Sequence, residues 1–311
     1  MSRYGRPEEK KEPPYGYYDG DHVFGINSVR LAIGTGRRDI EELIMQEGMD
    51  LSNKKDSQAA NEIVEIAHQK GIPIREFSKH DLNMLSDNKP HQGFILRAKP
   101  LEFVKLSQLE KTEKFSCVLA LDEVWDPQNF GALLRTSHFL QCDKVVVCSK
   151  NSAPLSPAVS RASAGALEVM TIYSTDNLMK FLDKSKDNGW QVVGTDLNPK
   201  SVSLYDVPLD KPTILVLGNE GHGMRTNILR RCTHLVRIGE APSTVRSTLS
   251  SSDTTSGSSS DSGTMNSITD SSSDIDMNKS EVEVTDSSNV DSLNVSVTGA
   301  IILHHFLSTK K

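Results

Sequence analysis

Residues Ile214-Leu215-Val216-Leu217 are four apolar positions in a row, and Gly218-Asn219-Glu220-Gly221-His222-Gly223 follows at once. An unbroken apolar run reads as a strand buried on both faces, which is the environment of a parallel sheet. Three glycines within six residues then make a loop in which backbone can take φ > 0 and approach a ligand closely. In open α/β sheets, the loops at the carboxyl ends of strands are where small molecules bind. A tight strand-to-helix turn without a ligand is the plain alternative at this point.

The same pattern recurs along the chain. From His22 to about Pro100 a first α/β unit is predicted. Its parts are a helix opened by Asn27 as N-cap, a strand at Ile40–Met45, an amphipathic helix at Ala59–Lys70 closed by Gly71, an extended stretch at Pro73–Phe77, a polar helix near Asp81–Asp87, and a strand at Gly93–Arg97. Residues 101–114 are polar and read as a linker. A second unit spans 115–311. Its expected strands are Cys117–Leu121, Lys144–Cys148, Val169–Tyr173, Gln191–Thr195 and Leu235–Ile238. Its expected helices are Phe130–Gln141, Ala158–Leu167, Asn177–Lys186 and Arg225–Arg231. Strands alternating with helices at this spacing argue for a parallel sheet covered on both faces.

Two stretches break the pattern. Residues 1–20 are rich in Pro, Gly, Tyr and charge and read as a disordered lead-in. Residues 241–290 hold 24 Ser or Thr among 50 positions, with eight acids against Arg246 and Lys279. Such a segment cannot bury enough surface to offset its ordering entropy, so it is expected to be disordered. It also accounts for the chain's formal charge of −6, leaving the rest neutral overall. Order is expected to resume where Ser292 or Asn294 caps an apolar helix, Val295–Leu307.

Several chemistries are excluded by what the sequence lacks. No run of 18 apolar residues occurs, so no membrane span is expected. No G-x-x-x-x-G-K-[ST], H-E-x-x-H or G-x-S-x-G is present, and Gly221-x-Gly223 lacks the third glycine of a dinucleotide fingerprint. Cys117, Cys142, Cys148 and Cys232 have no C-x-x-C spacing and no zinc-type histidine partners, so no metal is expected and buried thiols in a reducing compartment are.

Three loops remain as carriers of chemistry, and together they resemble the signature of the SPOUT-class RNA 2′-O-ribose methyltransferases, the SpoU or TrmH-like family. They stand here as Asp126-Pro127-Gln128-Asn129-Phe130-Gly131-Ala132-Leu133-Leu134-Arg135-Thr136, Leu217-Gly218-Asn219-Glu220-Gly221-His222-Gly223-Met224, and Ser292-Leu293-Asn294-Val295-Ser296-Val297. Val23–Arg30 and His91-Gln92-Gly93-Phe94 look like the small RNA-binding domain that many members carry. The Gly36-Arg37-Arg38 context and His91-Gln92-Gly93 are most similar to the mitochondrial branch that methylates a guanosine ribose in large-subunit rRNA.

The resemblance implies a small α/β RNA-binding domain at 21–100, followed by a SPOUT methyltransferase domain knotted as a deep trefoil. It implies S-adenosylmethionine as methyl donor, RNA as partner and a homodimer. By position, Gly218, Asn219, Gly221, Ile238, Leu293 and Ser296 fall on the cofactor side, and Asn129, Arg135, Glu220 and Asn294 on the catalytic side. A ribose 2′-hydroxyl is a poor nucleophile whose proton must be helped away. Arginine is always protonated, so Arg135 is expected to hold an RNA phosphate and lower the hydroxyl pKa rather than act as a base. Simpler readings stand beside these. Asn129 is also a plausible helix N-cap, Arg135 a surface arginine, Ile238 and Leu293 core residues, and Glu220 a solvated loop acid. Arg37, Arg38, Arg97 and Lys99 are positioned for RNA phosphates or for plain surface.

The resemblance places the protein in mitochondria, with the cytoplasm as the alternative. A transit peptide should be poor in acids, yet Glu8, Glu9, Glu12 and Asp19 offset the early basic residues. Where family members have a proline and a short loop, this chain has Gly239 and about 50 more residues. Lengthening a flexible loop several-fold costs on the order of 1–2 kcal/mol, so the segment is expected to loop out and be dispensable. A tRNA substrate is the close variant of the rRNA reading. A non-catalytic RNA-binding or ribosome-assembly factor is the alternative of a different class.

Overall fold

The computed structural model describes residues 16–51, 57–196, 201–239 and 292–308. The Ser/Thr-rich segment and residues 1–15 of the lead-in lie outside these. The first unit is a four-stranded mixed sheet made of β1 (Asp21–Phe24), β2 (Ile40–Gln46), β3 (Ile74–Phe77) and β4 (Phe94–Ala98), in the order β1-β4-β2-β3. β4 runs antiparallel to both its neighbours, and β2 and β3 are parallel. Alternation along the strands divides the side chains between two faces. Leu43, Met45, Phe94 and Leu96 pack under α1 (Ile26–Thr35) and α2 (Ser57–Gln69), while Ile44 and Ile95 join Leu82 of α3 (Lys79–Leu85). Helix α1 begins one residue after Gly25, so Asn27 lies inside its first turn and is not the N-cap expected from sequence.

The second unit is an eight-stranded sheet in which every pair is parallel. Its strands are β5 (Val104–Lys105), β6 (Cys117–Leu121), β7 (Lys144–Cys148), β8 (Ile172–Thr175), β9 (Gln191–Thr195), β10 (Val202–Ser203), β11 (Thr213–Leu217) and β12 (His234–Arg237). Its helices are α4 (Pro127–Phe139), α5 (Pro157–Ala162), α6 (Ala166–Val169), α7 (Leu178–Asp187), α8 (Thr226–Leu229) and α9 (Val295–Ser308). The order is β10-β12-β9-β11-β6-β7-β8-β5. The chain steps outward from β6 to β8, returns to lay down β9 on the far side, and then inserts β11 between β9 and β6. The linker of residues 101–114 is not featureless, since β5 extends the sheet beside β8.

Alternation again sorts the core. Leu119, Leu121, Leu215 and Leu217 face Phe130, Leu133 and Leu134 of α4 and Ile302, Leu303 and Phe306 of α9. Val118, Ala120, Ile214 and Val216 face Leu178, Phe181 and Leu182 of α7 and Ile228 of α8. Each such buried Val, Leu, Ile or Phe contributes about 1.5–3 kcal/mol of transfer free energy, and this two-sided burial is why the strands read as unbroken apolar runs. The helix expected over Ala158–Leu167 is two helices, because Ala164 and Gly165 take left-handed backbone angles (φ 51° and 87°) between α5 and α6.

Candidate active site

All strands of the large sheet point the same way, so the ends of β6, β11 and β12 open on one edge. Asp126 accepts from the backbone N–H groups of Gln128 and Asn129 at 3.2 and 3.1 Å and caps α4. Asn129 is therefore not the cap, which frees its side chain. Its Nδ2 donates to Glu220 Oε2 at 2.8 Å, in the loop after β11. Asn294 completes a closed triangle: its Nδ2 donates to Asn129 Oδ1 at 3.0 Å and to Glu220 Oε1 at 2.8 Å. The other end of the Asn294 amide starts α9, with Oδ1 accepting from Ser296 N at 2.8 Å and Ser296 Oγ at 2.6 Å. Asn129 is 8% exposed, whereas Glu220 lies open to solvent. A carboxylate oxygen has acceptor capacity for more than one hydrogen bond, so Glu220 is oriented by two amides and still able to receive a hydroxyl.

The loop around Glu220 is braced from within. Asn219 and Gly223 exchange two backbone hydrogen bonds of 2.9 Å, and Asn219 Oδ1 accepts from the N–H of Gly221 at 2.8 Å and of His222 at 3.2 Å. Gly218 sits where the loop doubles back: a Cβ added there would lie 2.4 Å from both Gly223 C and Met224 N. Glycine is needed at this position because backbone, not a movable side chain, fills the space.

Sequence reasoning missed the support beneath this loop. Asp122, wholly buried, accepts from Arg225 Nε at 2.9 Å and Nη2 at 2.5 Å. The hydrogen bond and charge of Asp122 hold the Arg225 guanidinium above its usual pKa, against the opposing effect of burial. Glu123 adopts φ 65°, a left-handed conformation that costs a non-glycine residue about 1 kcal/mol. Its carbonyl receives Asn219 Nδ2 at 2.9 Å and its carboxylate receives Asn151 Nδ2 at 2.7 Å, which hold it there. Asp122 and Glu123 directly follow β6, but nothing local marks their partners, which lie 28 to 103 residues further along the chain.

The remaining expected residues are less tightly gathered. Ile238 follows β12, which β9 separates from β11, and its side chain packs at the margin of the core. Leu293 is 49% exposed, so it is not a core residue. Arg135 lies on the exposed side of α4, outside the hydrogen-bonded triangle. Two basic residues named for RNA are elsewhere engaged: Arg97 is buried with its Nη1 donating to Glu42 at 2.7 Å, and Arg38 is buried against Glu168 and Asp21. Lys99 is exposed and paired with Asp39 at 2.6 Å. Cys117 and Cys148 are buried, Cys142 and Cys232 partly so, and none of the four is in a disulfide. Among the described residues no group of three or more acids, histidines or cysteines is placed to hold a metal, and no helix is long and apolar enough to cross a membrane.

With this geometry in view, comparison with known proteins is informative. Residues 116–247 match the SpoU rRNA methylase family, and residues 22–104 match the RNA 2′-O ribose methyltransferase substrate-binding family. The chain is 34% identical over 220 residues to a Staphylococcus aureus protein assigned to the TrmH family of tRNA/rRNA methyltransferases, an alignment covering 70% of this chain and 85% of that protein. It is 36% identical to the mitochondrial rRNA methyltransferase 1 of Dictyostelium discoideum and 35% identical to that of Homo sapiens, aligning with 60% and 70% of this chain. The aligned parts span only 41% and 64% of those two relatives. The crystal structure of an AdoMet-bound rRNA methyltransferase from Sinorhizobium meliloti has the same fold, with a TM-score of 0.64 at 19% identity over 93% of this chain and 87% of that one.

Proposed function

This chain belongs to the SpoU/TrmH family of RNA methyltransferases, and from that premise we propose that it transfers a methyl group from S-adenosylmethionine to a ribose 2′-hydroxyl in RNA, with a guanosine of mitochondrial large-subunit rRNA as target. The observation that carries this reading is the closed Asn129–Glu220–Asn294 triangle, which draws three loops far apart in sequence to one sheet edge. The cofactor's fit rests on the Gly218 turn, the side-chain-free surface at Gly221 and Gly223, and the exposed apolar face of Leu293. Asn219 and Ser296 brace the loop and the helix start on either side, and Ile238 supplies apolar surface from the end of β12.

S-adenosylmethionine, when bound, supplies an electrophilic methyl group on a sulfonium. The protein's own part is to orient the hydroxyl and ease the loss of its proton. Glu220, held by two amides, accepts a hydrogen bond from a ribose hydroxyl, and the two amides fix the direction of that bond. Arg135 is exposed and free to take an RNA phosphate, and its permanent charge lowers the pKa of a neighbouring hydroxyl. The proton leaves through that phosphate or through water.

The finer parts of the proposal follow the family. Inserting β11 between strands already laid down is the strand order that goes with a deep trefoil knot in the C-terminal part. A homodimer would cover apolar side chains left open on the two helices that border the site, Phe139 of α4 and Val297 and Ile301 of α9. Residues 21–100 serve as the RNA-binding domain and 115–311 as the methyltransferase domain. Mitochondrial location is carried over from the two relatives of that name.

The test is methyl transfer from tritium-labelled S-adenosylmethionine to transcripts of mitochondrial rRNA, cytosolic rRNA and tRNA, with digestion to nucleosides. Labelled 2′-O-methylguanosine from the mitochondrial large-subunit transcript is the expected product. Label in tRNA alone would move the substrate. Binding of S-adenosylhomocysteine without transfer to any RNA would favour a non-catalytic RNA-binding role.

A further inference from the structure

Arg38 links the two sheets. Its side chain is fully removed from solvent. It donates from Nε to Glu168 Oε2 at 2.7 Å, from Nη2 to Glu168 Oε1 at 3.0 Å, and from Nη1 to Asp21 Oδ2 at 2.7 Å. Glu168 is equally buried and belongs to α6, 130 residues further along, on the large sheet. Neighbouring contacts follow the same seam. Arg37 donates to the carbonyl oxygens of Leu167, at 3.1 Å, and of Met170. Thr35 Oγ1 donates to the Glu168 carbonyl at 3.3 Å. Leu31 and the Asn27 carbonyl crowd Gly165 so closely that a Cβ there would lie 2.7 and 3.0 Å from them.

The seam continues toward the catalytic helix. α5 packs on α4 at Gly131, where an added Cβ would lie 2.4 Å from Ala162 Cβ. Asn129 stands two residues before that contact. A continuous line of packed elements therefore runs from α1 through α6 and α5 to α4.

A buried ion cluster is an expensive way to gain stability, since desolvation offsets most of the attraction and apolar replacements are often neutral or better. What a bidentate guanidinium–carboxylate pair supplies is direction as well as distance. Burial alone would push the Arg38 guanidinium down, but its hydrogen bonds and charges with Glu168 and Asp21 outweigh this and hold it above the usual arginine value. The guanidinium therefore stays charged at any pH the protein meets.

We propose that Arg38 is a positioning residue: with Glu168 and Asp21 it locks the small domain to the α4–α6 wall, so that RNA gripped by the small sheet presents a nucleotide at one fixed distance from the Asn129–Glu220–Asn294 site. The functional half of this inference rests on the RNA-methylation reading above, and the mechanical half does not.

The test uses the full chain. Arg38→Met alone strands the Glu168 and Asp21 carboxylates and endangers folding, so the informative variant is Arg38→Met with Glu168→Leu and Asp21→Asn, which removes the charges together. Arg38→Lys, which keeps the charge but loses the fork, is its companion. Both are expected to bind S-adenosylhomocysteine as the unaltered protein does. Loss of the tethered geometry should raise the KM for RNA about tenfold, as when a second binding contact loses its effective concentration, with kcat nearly unchanged. Methylation should also spread to nucleotides beside the target. An unchanged KM and a single methylated position in the folded triple variant would overturn the proposal. Should the unaltered protein methylate no RNA, the functional reading fails by itself. The lock is then judged by amide hydrogen exchange: slow exchange across residues 31–38 and 163–170, made fast in the triple variant, upholds it, and fast exchange in the unaltered protein overturns it.

Discussion

Asn129 Nδ2 meets Glu220 Oε2 at 2.8 Å, joining the first turn of α4 to a loop 91 residues later, and Asn294 ties both to the start of α9. Glu220→Gln would set an amide N–H₂ against one of these donors. Hydrogen bonds to a charged group contribute about 1.5–3 kcal/mol, so the single-turnover rate of methyl transfer should fall roughly 10- to 100-fold. Because Glu220 is exposed, thermal stability should barely change; an equal rate in the variant would remove Glu220 from the mechanism.

Arg135→Ala separates binding of RNA from binding of cofactor. The side chain is exposed and outside the hydrogen-bonded triangle, so stability should stay within about 0.5 kcal/mol of the original. Calorimetric titration with S-adenosylhomocysteine should be unaltered while transfer to RNA is lost. Unchanged turnover would assign Arg135 to the surface.

Gly218→Ala and Gly221→Ala form a matched pair. At Gly218 the new methyl meets backbone at 2.4 Å, whereas at Gly221 the nearest atom is Asn219 Oδ1 at 3.5 Å. Overpacking of this kind costs about 1–3 kcal/mol. Gly218→Ala should lower the denaturant midpoint and abolish S-adenosylhomocysteine binding. Gly221→Ala should keep its midpoint. Equal behaviour of the two would mean the loop is softer than its hydrogen bonds indicate.

The thiols should respond unequally to alkylation. Burial pushes Cys232 up to about 12, while a hydrogen bond with Cys117 and backbone hydrogen bonds hold Cys142 below its usual value despite burial. At pH 8, mass spectrometry should find iodoacetamide on Cys142 before Cys232. Reaction at Cys232 should need unfolding or strongly alkaline solution, because only the thiolate reacts. The folded Cys232 keeps its proton between the unfolded value of about 8.5 and 12, while the unfolded chain gives it up, so this group's contribution to stability is lost as pH rises through that window.

Much of the large sheet was legible because burial on both faces leaves a mark in the chain. Cys117–Leu121 and Gln191–Thr195 have the expected bounds for that reason. The two-residue edge strands β5 and β10 carry no such run and were invisible. Asn129 was weighed as a cap because any Asn before a helical stretch can be one; only the start of α4 at Pro127 shows that Asp126 has that task. Arg38 and Arg97 read as surface or RNA contacts because nothing local reveals a carboxylate 130 or 55 residues away in the chain. The same holds for Asp122 and Arg225, 103 residues apart. Polar pairing over long separations is set by the fold, and a single sequence does not display it.

The seat of Asn294 has a consequence for synthesis. A ribosome making this chain finishes both sheets before it reaches the last corner of the triangle. The helix that follows, α9, also brings Gly299 against Leu133 and Leu217, where an added Cβ would lie 2.5 and 2.7 Å from them. A product cut short between Arg237 and Asn294 would thus carry every strand of both sheets yet lack the third corner of the triangle and the helix that packs on Leu133 and Leu217.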